Sequence, residues 1–259
     1  LLPVGNFTTT LYSSYWVFGN QRKVYMEIIK AILIKSGFCI AVFAQEYSIS
    51  IFGFHAADVS LNRDSTSSEF QTNNRGIFDL IWPASNSYKT EFDKDSYSIK
   101  RWEKTIKQGS NKVKVSGSVT SDGYMKYKDE VIIKIDNETK TVFTFLEMAI
   151  MMDRKYLDTK WFPYEHEGRL GRARLIWADS LNQWSGSDSI LCDHYRFDIE
   201  ITDSTKQVKT SDYFMNNIIR SDCVREIWVS REIPKCIIAA RVSLGPIPVM
   251  ARIQIDKES

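Results

Sequence analysis

The feature that most constrains this fold is a two-residue alternation of apolar and polar side chains that begins near Gln45. Tyr47, Ile49 and Ile51 are apolar, and serines occupy the positions between them. Successive side chains of a β-strand point to opposite faces of a sheet, so this alternation predicts a half-buried strand. Similar short segments recur along the chain between turn-forming residues, and together they predict a meandering antiparallel sheet.

Two of these segments contain a glycine that we expect to interrupt a strand. Gly53 falls inside the first segment, 45–62, where it predicts a bulge or bend. Gly76 falls inside the second segment, 69–82, which we expect to be extended on both sides of the glycine. Both glycines are therefore interpreted as local irregularities within strands.

The stretch 142–154 differs from its surroundings, and its composition predicts a helix. Thr141 is a suitable N-cap residue. Thr144, Glu147 and Arg154 fall near one stripe, and most of the remaining residues are apolar. A helix that is apolar around so much of its circumference is expected to be buried. The sequence thus predicts a mainly β protein with one buried helix.

Charge gives no argument for a nucleic-acid partner or an anionic membrane. The net charge of the whole chain is +2, but residues 1–44 hold four basic side chains and one acidic side chain. The remaining residues therefore carry a net charge of −1. We expect no nucleic-acid binding from a domain with this balance.

The four cysteines do not form a metal or redox motif, because no two of them have C-x-x-C spacing. Cys223 and Cys236 flank a predicted hairpin, in which their expected offset is about four residues, or roughly 13 Å. A disulfide requires Cα atoms within about 7 Å. We therefore favour free, buried thiols over a disulfide between these two residues.

The first 44 residues are expected to lie outside the domain. Residues 1–25 show no clear periodicity and are interpreted as an extension. Residues 26–44 combine two lysines with an apolar run that ends in Val42-Phe43-Ala44, the small-residue pattern of a signal peptidase site. A buried helix is the alternative interpretation of this segment. We expect a signal peptide that is cleaved after Ala44, an exported single domain over 45–259, and no transmembrane segment in the mature chain.

Several segments within 45–255 resemble, in order and spacing, the bacterial family known as domain of unknown function 3108. The segments that carry this resemblance are 53–61, 87–95, 98–104, 143–152, 226–230, 233–234 and 237–253. The resemblance implies a curved antiparallel sheet around the helix, similar to the half-barrel of outer-membrane lipoprotein carriers, in an envelope protein of a Gram-negative bacterium. It supplies no catalytic residues. The chain departs from the family in its N-terminal extension and in the polar run 179–189, which we expect to be a loop.

Two histidines are candidates for a site. His166 lies between Glu165 and Glu167, where a solvated loop is favoured over a metal site because neighbours in an extended segment point to opposite faces. His55 lies near Gly53, where a bulge could direct it into a cavity, although a hydrogen-bonded structural histidine is the simpler reading. The chain contains no recognised catalytic motif, and we predict no metal and no cofactor.

The aromatic and methionine residues of the predicted helix are the best sequence indication of binding. Methionine side chains adapt to irregular apolar partners, so a gap beside this helix would suit an acyl chain. Ordinary core packing is the alternative. The candidate ligand-binding residues, together with His55, are Phe143, Phe145, Met148, Met151 and Met152.

These observations predict a non-enzymatic periplasmic protein that binds a lipid or another apolar ligand. One alternative is a hydrolase or metal enzyme that uses His55 or His166. Another is a structural partner in an envelope complex, which a large exposed apolar patch would indicate.

Overall fold

The computed structural model describes residues 43–128, 131–209 and 211–255. This part of the chain forms one curved antiparallel sheet of fourteen strands, which confirms the predicted fold class. The strands are β1 (Phe43–Ile51), β2 (Phe54–Arg63), β3 (Ser67–Asn74), β4 (Ala84–Phe92), β5 (Ile99–Gln108), β6 (Asn111–Val119), β7 (Tyr124–Tyr127), β8 (Ile132–Lys134), β9 (Phe162–His166), β10 (Arg169–Trp184), β11 (Ser189–Asp203), β12 (Cys223–Ser230), β13 (Ile237–Leu244) and β14 (Ile247–Gln254).

The order of the strands is a meander with one non-local pairing at its centre. From edge to edge the order is β8-β7-β6-β5-β4-β3-β2-β1-β14-β13-β12-β11-β10-β9. The first strand therefore pairs with the last, and Glu46 lies opposite Gln254. The sheet is not closed, because β8 and β9 form its two edges.

Four short helices lie in the connections between strands: α1 (Gly76–Ile81), α2 (Val142–Met151), α3 (Arg154–Leu157) and α4 (Tyr213–Ile218). None of these described helices is long and apolar enough to cross a membrane. The predicted buried helix over 142–154 ends early, at Met151. It ends there because the Asp153 side chain accepts a hydrogen bond from the Lys155 backbone N–H, which caps a separate helix, α3.

Helix α2 forms the centre of the core and contacts both halves of the sheet. The Phe143 ring lies 5.3 Å from Phe70 of β3, and the Phe145 ring lies 4.9 Å from Phe197 of β11, measured between centroids. A capping box between Thr141 and Thr144 fixes the start of the helix. The two halves of the sheet therefore share one apolar core around α2.

The segment before α2 connects the two halves through backbone hydrogen bonds. The Ile99 N–H of β5 donates to the Thr139 carbonyl at 3.0 Å. The Lys140 N–H donates to the Pro163 carbonyl at 2.8 Å. The Lys140 carbonyl accepts from the backbone N–H of Glu165 in β9 at 2.9 Å. This short bridge satisfies edge groups of β9 that the open sheet would otherwise leave unpaired.

Three local predictions are wrong. Gly53 does not lie inside a strand, because Phe52 and Gly53 have φ values of 51° and 83° and reverse the chain between β1 and β2. The register shift in this strand pair lies instead between Ile49 and Ser50. The part of segment 69–82 that follows the break at Gly76 is not extended, since α1 begins directly at Gly76. The polar run 179–189 is not a loop, because β10 and β11 pair as far as Trp184 and Ser189.

Two further predictions concern the cysteines of the β12–β13 hairpin and the N-terminal segments. Cys223 lies opposite Leu244, at the far end of its hairpin from Cys236, and both cysteines are free thiols. The 1–25 extension lies outside the described residues. So does the predicted signal peptide 26–44, except for Phe43 and Ala44, which begin β1.

Candidate functional site

The Glu165-His166-Glu167 segment is buried, so its interpretation as a solvated loop is wrong. His166 ends β9, and Glu167 and Gly168 form the tight turn into β10, with φ values of 51° and 86°. The chain covers this turn: Val208 donates its backbone N–H to the Glu167 carbonyl at 2.7 Å. The left-handed turn sets the direction of Glu167, whereas Glu165 belongs to β9 and pairs with Leu170 of β10.

Lys104 of β5 is the cation of a buried network around this turn. Its ammonium group donates to the Glu167 carboxylate and, at 3.1 Å, to Asp212. All three side chains are almost completely buried. Ser211 also donates to Glu167, and Asp212 caps α4 by accepting from the Met215 N–H at 2.9 Å. The network therefore joins β5, the β9–β10 turn and α4.

His166 is held as a neutral imidazole with a defined tautomer. Its Nε2 lies 2.7 Å from the Met215 carbonyl, which can only accept, so Nε2 carries the proton. Its Nδ1 then accepts from the Tyr164 hydroxyl at 3.0 Å. Burial lowers the pKa of His166 to about 3. Both nitrogens are therefore occupied, and the ring acts as a structural connector between β9 and α4.

Glu165 lies beside this network in an environment that opposes its ionisation. Burial raises the pKa of its carboxyl group to about 7, while hydrogen bonds from Tyr127 and from the Gly168 N–H oppose that rise. Burial also raises the pKa of the Tyr127 phenol well above its ordinary value. Tyr127 belongs to β7, so this contact links the β7 side of the sheet to β9.

The charged groups of the buried network are paired with one another. Within the described ranges, no three His, Cys, Asp or Glu side chains converge as a metal would require. The Lys104 amine is enclosed and held by two carboxylates. Its contacts are those expected of a charge that must be paired when it is removed from water.

His55 lies on the surface at the start of β2. Its Nε2 is 2.7 Å from Asp58 Oδ1, and the other oxygen of that carboxylate accepts from Arg75. The imidazole is half exposed. The structure therefore places His55 in a surface hydrogen-bonded group, well separated from the buried His166.

The candidate ligand-binding residues on α2 have different environments. Phe143, Phe145 and Met148 are buried in the core, whereas Met151 is 59% exposed at the end of the helix. Met152 is partly buried. Two surface depressions, of about 320 and 140 Å³, lie on the outer faces of β4 and β5 and have mainly polar and charged linings. Neither depression is lined by any of the α2 residues.

A different surface has the composition expected of a binding site. Three consecutive connections at one end of the sheet carry exposed apolar side chains, and we call them the rim surface. Its segments are the β1–β2 turn, the α1 region and the β13–β14 turn. The rim surface comprises Phe52, Phe54, Ile77, Leu80, Ile81, Trp82, Pro246, Ile247 and Pro248.

Strand register places these segments side by side. Ile51 pairs with Val249, so the β1–β2 and β13–β14 turns lie at the same end of neighbouring strands. The α1 region adjoins the start of β2, where Arg75 donates its backbone N–H to the Ala56 carbonyl at 2.8 Å. Helix α1 has no buried residue, and Leu80, Ile81 and Phe54 are 84%, 74% and 71% exposed. A contiguous exposed apolar surface of this kind is typical of an interaction site.

The sequence analysis missed the rim surface because two of its segments, the β1–β2 turn and the α1 region, were interpreted as parts of strands. An apolar run such as 77–82 is expected to be buried when it is assigned to a strand. The positive φ values at Gly53 and Gly76 end the strands there, and the apolar residues beside them are therefore exposed. Lys104 was also missed. A signal for it exists, since Trp102, Lys104 and Ile106 occupy the same phase of a two-residue alternation.

Comparison with solved structures finds β-rich proteins of unknown function. One is a β-barrel-like protein of domain of unknown function 1849 from Brucella abortus, with 10% identity and a TM-score of 0.49 over 83% of this chain and 98% of that chain. Another is a protein of the domain of unknown function 1089 family from Pseudomonas aeruginosa, with 11% identity and a TM-score of 0.41 over 71% and 88% of the two chains. No family model and no curated protein matches the chain.

Proposed function

We propose that this chain is a non-enzymatic binding protein of the periplasm that holds an apolar partner, either a lipid or an apolar segment of another protein. The observation that carries the proposal is the rim surface, which leaves large apolar side chains in water at the cost of hydrophobic free energy. The resemblance to the domain of unknown function 3108 family supports the envelope setting. So does the signal-peptide pattern that ends at Ala44.

The rim surface also supports a location for the proposed binding. Phe143, Phe145 and Met148 contribute to the core, and the described surface depressions do not reach them. We therefore assign the apolar partner to the rim surface, with the α2 residues as the competing location. A role as a structural partner in an envelope complex is the second candidate, since the same surface could bind an apolar protein segment.

Trp82 provides a direct test, because it lies on the rim surface and is 60% exposed. We expect titration with zwitterionic lysophosphatidylcholine to shift tryptophan emission to shorter wavelength as Trp82 enters an apolar environment. Trp82→Phe should remove most of this shift. The interior variant Phe143→Leu should keep it.

The outcomes separate the two locations. Loss of the shift in Phe143→Leu but not in Trp82→Phe would move the binding site to the interior of the sheet. A wild-type protein that shows no shift, either with lysophosphatidylcholine or with an amphipathic apolar peptide, would contradict apolar binding itself.

A further inference from the structure

The rim surface projects from the sheet rather than forming a groove. A Cβ atom added at Gly53 or Gly245 would meet nothing within 4 Å, so both turns stand in open space. The neighbouring β5–β6 turn is equally open at Gly109. A rigid protein partner would need a matching cavity for each projection, whereas a fluid apolar medium accommodates separate projections without one.

Part of the backbone of these projections is already hydrogen-bonded, which lowers the cost of placing them in an apolar environment. The Trp82 N–H donates to Phe78 at 2.9 Å, and the Asp79 N–H donates to Arg75 at 3.3 Å. Ile51 and Phe54 pair across the β1–β2 turn. Backbone groups without such partners would oppose insertion into lipid.

Two lysines at the same end of the sheet supply a positive charge beside the apolar side chains. Lys107 of β5 lies directly opposite Lys112 of β6, and both are exposed. Their turn adjoins the rim surface through a 3.0 Å hydrogen bond from the Gly109 N–H to the Pro83 carbonyl. Like charges in this position repel each other, and an anionic partner would relieve the repulsion.

The charges around the rim surface favour an anion. No described carboxylate lies within 4.0 Å of either lysine, whereas Lys114 is already paired with Glu103. Asp58 is neutralised by Arg75, which leaves Asp79 as the acidic side chain within α1. The local balance is therefore positive, and an anionic surface complements it.

We propose that the rim surface docks onto an anionic lipid bilayer, with its aromatic and aliphatic side chains at headgroup depth and Lys107 and Lys112 against lipid phosphates. Aromatic side chains are enriched at membrane interfaces, and basic residues strengthen attachment to anionic lipids. This inference rests on the proposed function, because it names the partner of the same surface.

Sedimentation with lipid vesicles tests the proposal. We expect the protein to bind vesicles of phosphatidylcholine with phosphatidylglycerol at least tenfold more tightly than vesicles of phosphatidylcholine alone. Leu80→Asp should weaken binding to the anionic vesicles at least tenfold. The double variant Lys107→Gln/Lys112→Gln should reduce it toward the level of the neutral vesicles, and added salt should weaken the wild type.

Ile233→Asp is the matched control, because Ile233 is 92% exposed at the opposite end of the sheet, in the β12–β13 turn. It should bind like the wild type. Equal affinity for both kinds of vesicle, or unchanged binding by Leu80→Asp, would overturn the proposal. Lysophosphatidylcholine binding that persists without a preference for anionic vesicles would overturn this inference alone and leave the proposed function standing. A second outcome would also overturn this inference alone. In it, the protein dimerises in a concentration-dependent way, Leu80→Asp abolishes the dimer, and no vesicle binding is seen.

Discussion

Individual buried polar residues determine how this protein responds to pH. His166 is neutral in the folded state because both of its nitrogens are occupied and burial lowers its pKa to about 3. In the unfolded chain it would gain a proton at about pH 6.5. Protons therefore favour the unfolded state below that pH, and the contribution of His166 to stability is lost as the pH falls from 6.5 toward 3.

The variant His166→Gln isolates this effect. At neutral pH we expect it to be less stable than the wild type, because it loses ring packing against Tyr164. The difference should shrink by about 1.4 kcal/mol for each pH unit below 6 as the wild type is penalised. Urea unfolding over a pH series measures it. The control His55→Gln removes a surface imidazole, and its free energy of unfolding should follow the wild-type dependence on pH. If His166→Gln instead differs from the wild type by the same free energy at every pH, His166 is not a buried neutral imidazole.

The sequence predicted residue-level burial only where side-chain type and strand phase agree. Tyr47 and Phe143 are apolar and lie inside, as their pattern indicates. Lys104 and His166 are buried because specific partners satisfy them, and two of these partners, Glu167 and Met215, lie 63 and 49 residues away along the chain. No local pattern reports such a partner, so the buried network could not be derived from the sequence.

At the scale of elements, tight turns decide which segments face water. The β9–β10 turn is held against the chain segment that covers it, since a Cβ atom at Gly168 would lie 2.3 Å from the Lys206 carbonyl. The φ of Gly168 is +86°, in the region that favours glycine. The same conformation at Gly53 instead exposes its neighbours. Sequence patterns show that glycine is present but not which of these two roles it has.

Gly168→Ala should therefore destabilise the fold by roughly 3 kcal/mol or more, because backbone strain and steric overlap act together. Gly109→Ala is the matched control. It also has a positive φ, of +57°, but its added Cβ would meet nothing within 4 Å. Its expected cost is about 1 kcal/mol. Denaturant unfolding of both variants gives the comparison, and equal losses would show that the space around Gly168 is not restrictive.

At the scale of the whole molecule, α2 and the Lys104 network join the two halves of an open sheet. Lys104 belongs to β5, whereas its carboxylate partners lie in the β9–β10 turn and before α4. The alternation in the sequence predicted the mainly β class, and the apolar composition of 142–154 predicted the central helix. It could not give the strand order, because the pairing of β1 with β14 depends on contacts across nearly the whole domain.

Lys104→Met tests the connection between the halves. Removing the cation leaves two buried carboxylates without their partner, which should cost about 3–5 kcal/mol. We expect hydrogen exchange to accelerate together in peptides from β5 and from β10, because the halves unfold as one unit. Lys107→Met, on the exposed face of β5, should change stability by less than about 0.5 kcal/mol. Faster exchange in β5 alone would show that the halves unfold independently.

The pairing of β1 with β14 also governs when the domain can fold. Each outer wing of the meander can pair locally, but the central ladder cannot form until β14 is available to pair with β1. Until then β1 presents an unpaired edge, which is the kind of surface on which chains aggregate. A chain shortened by β14 would therefore lose solubility while it folds, before any ligand could matter.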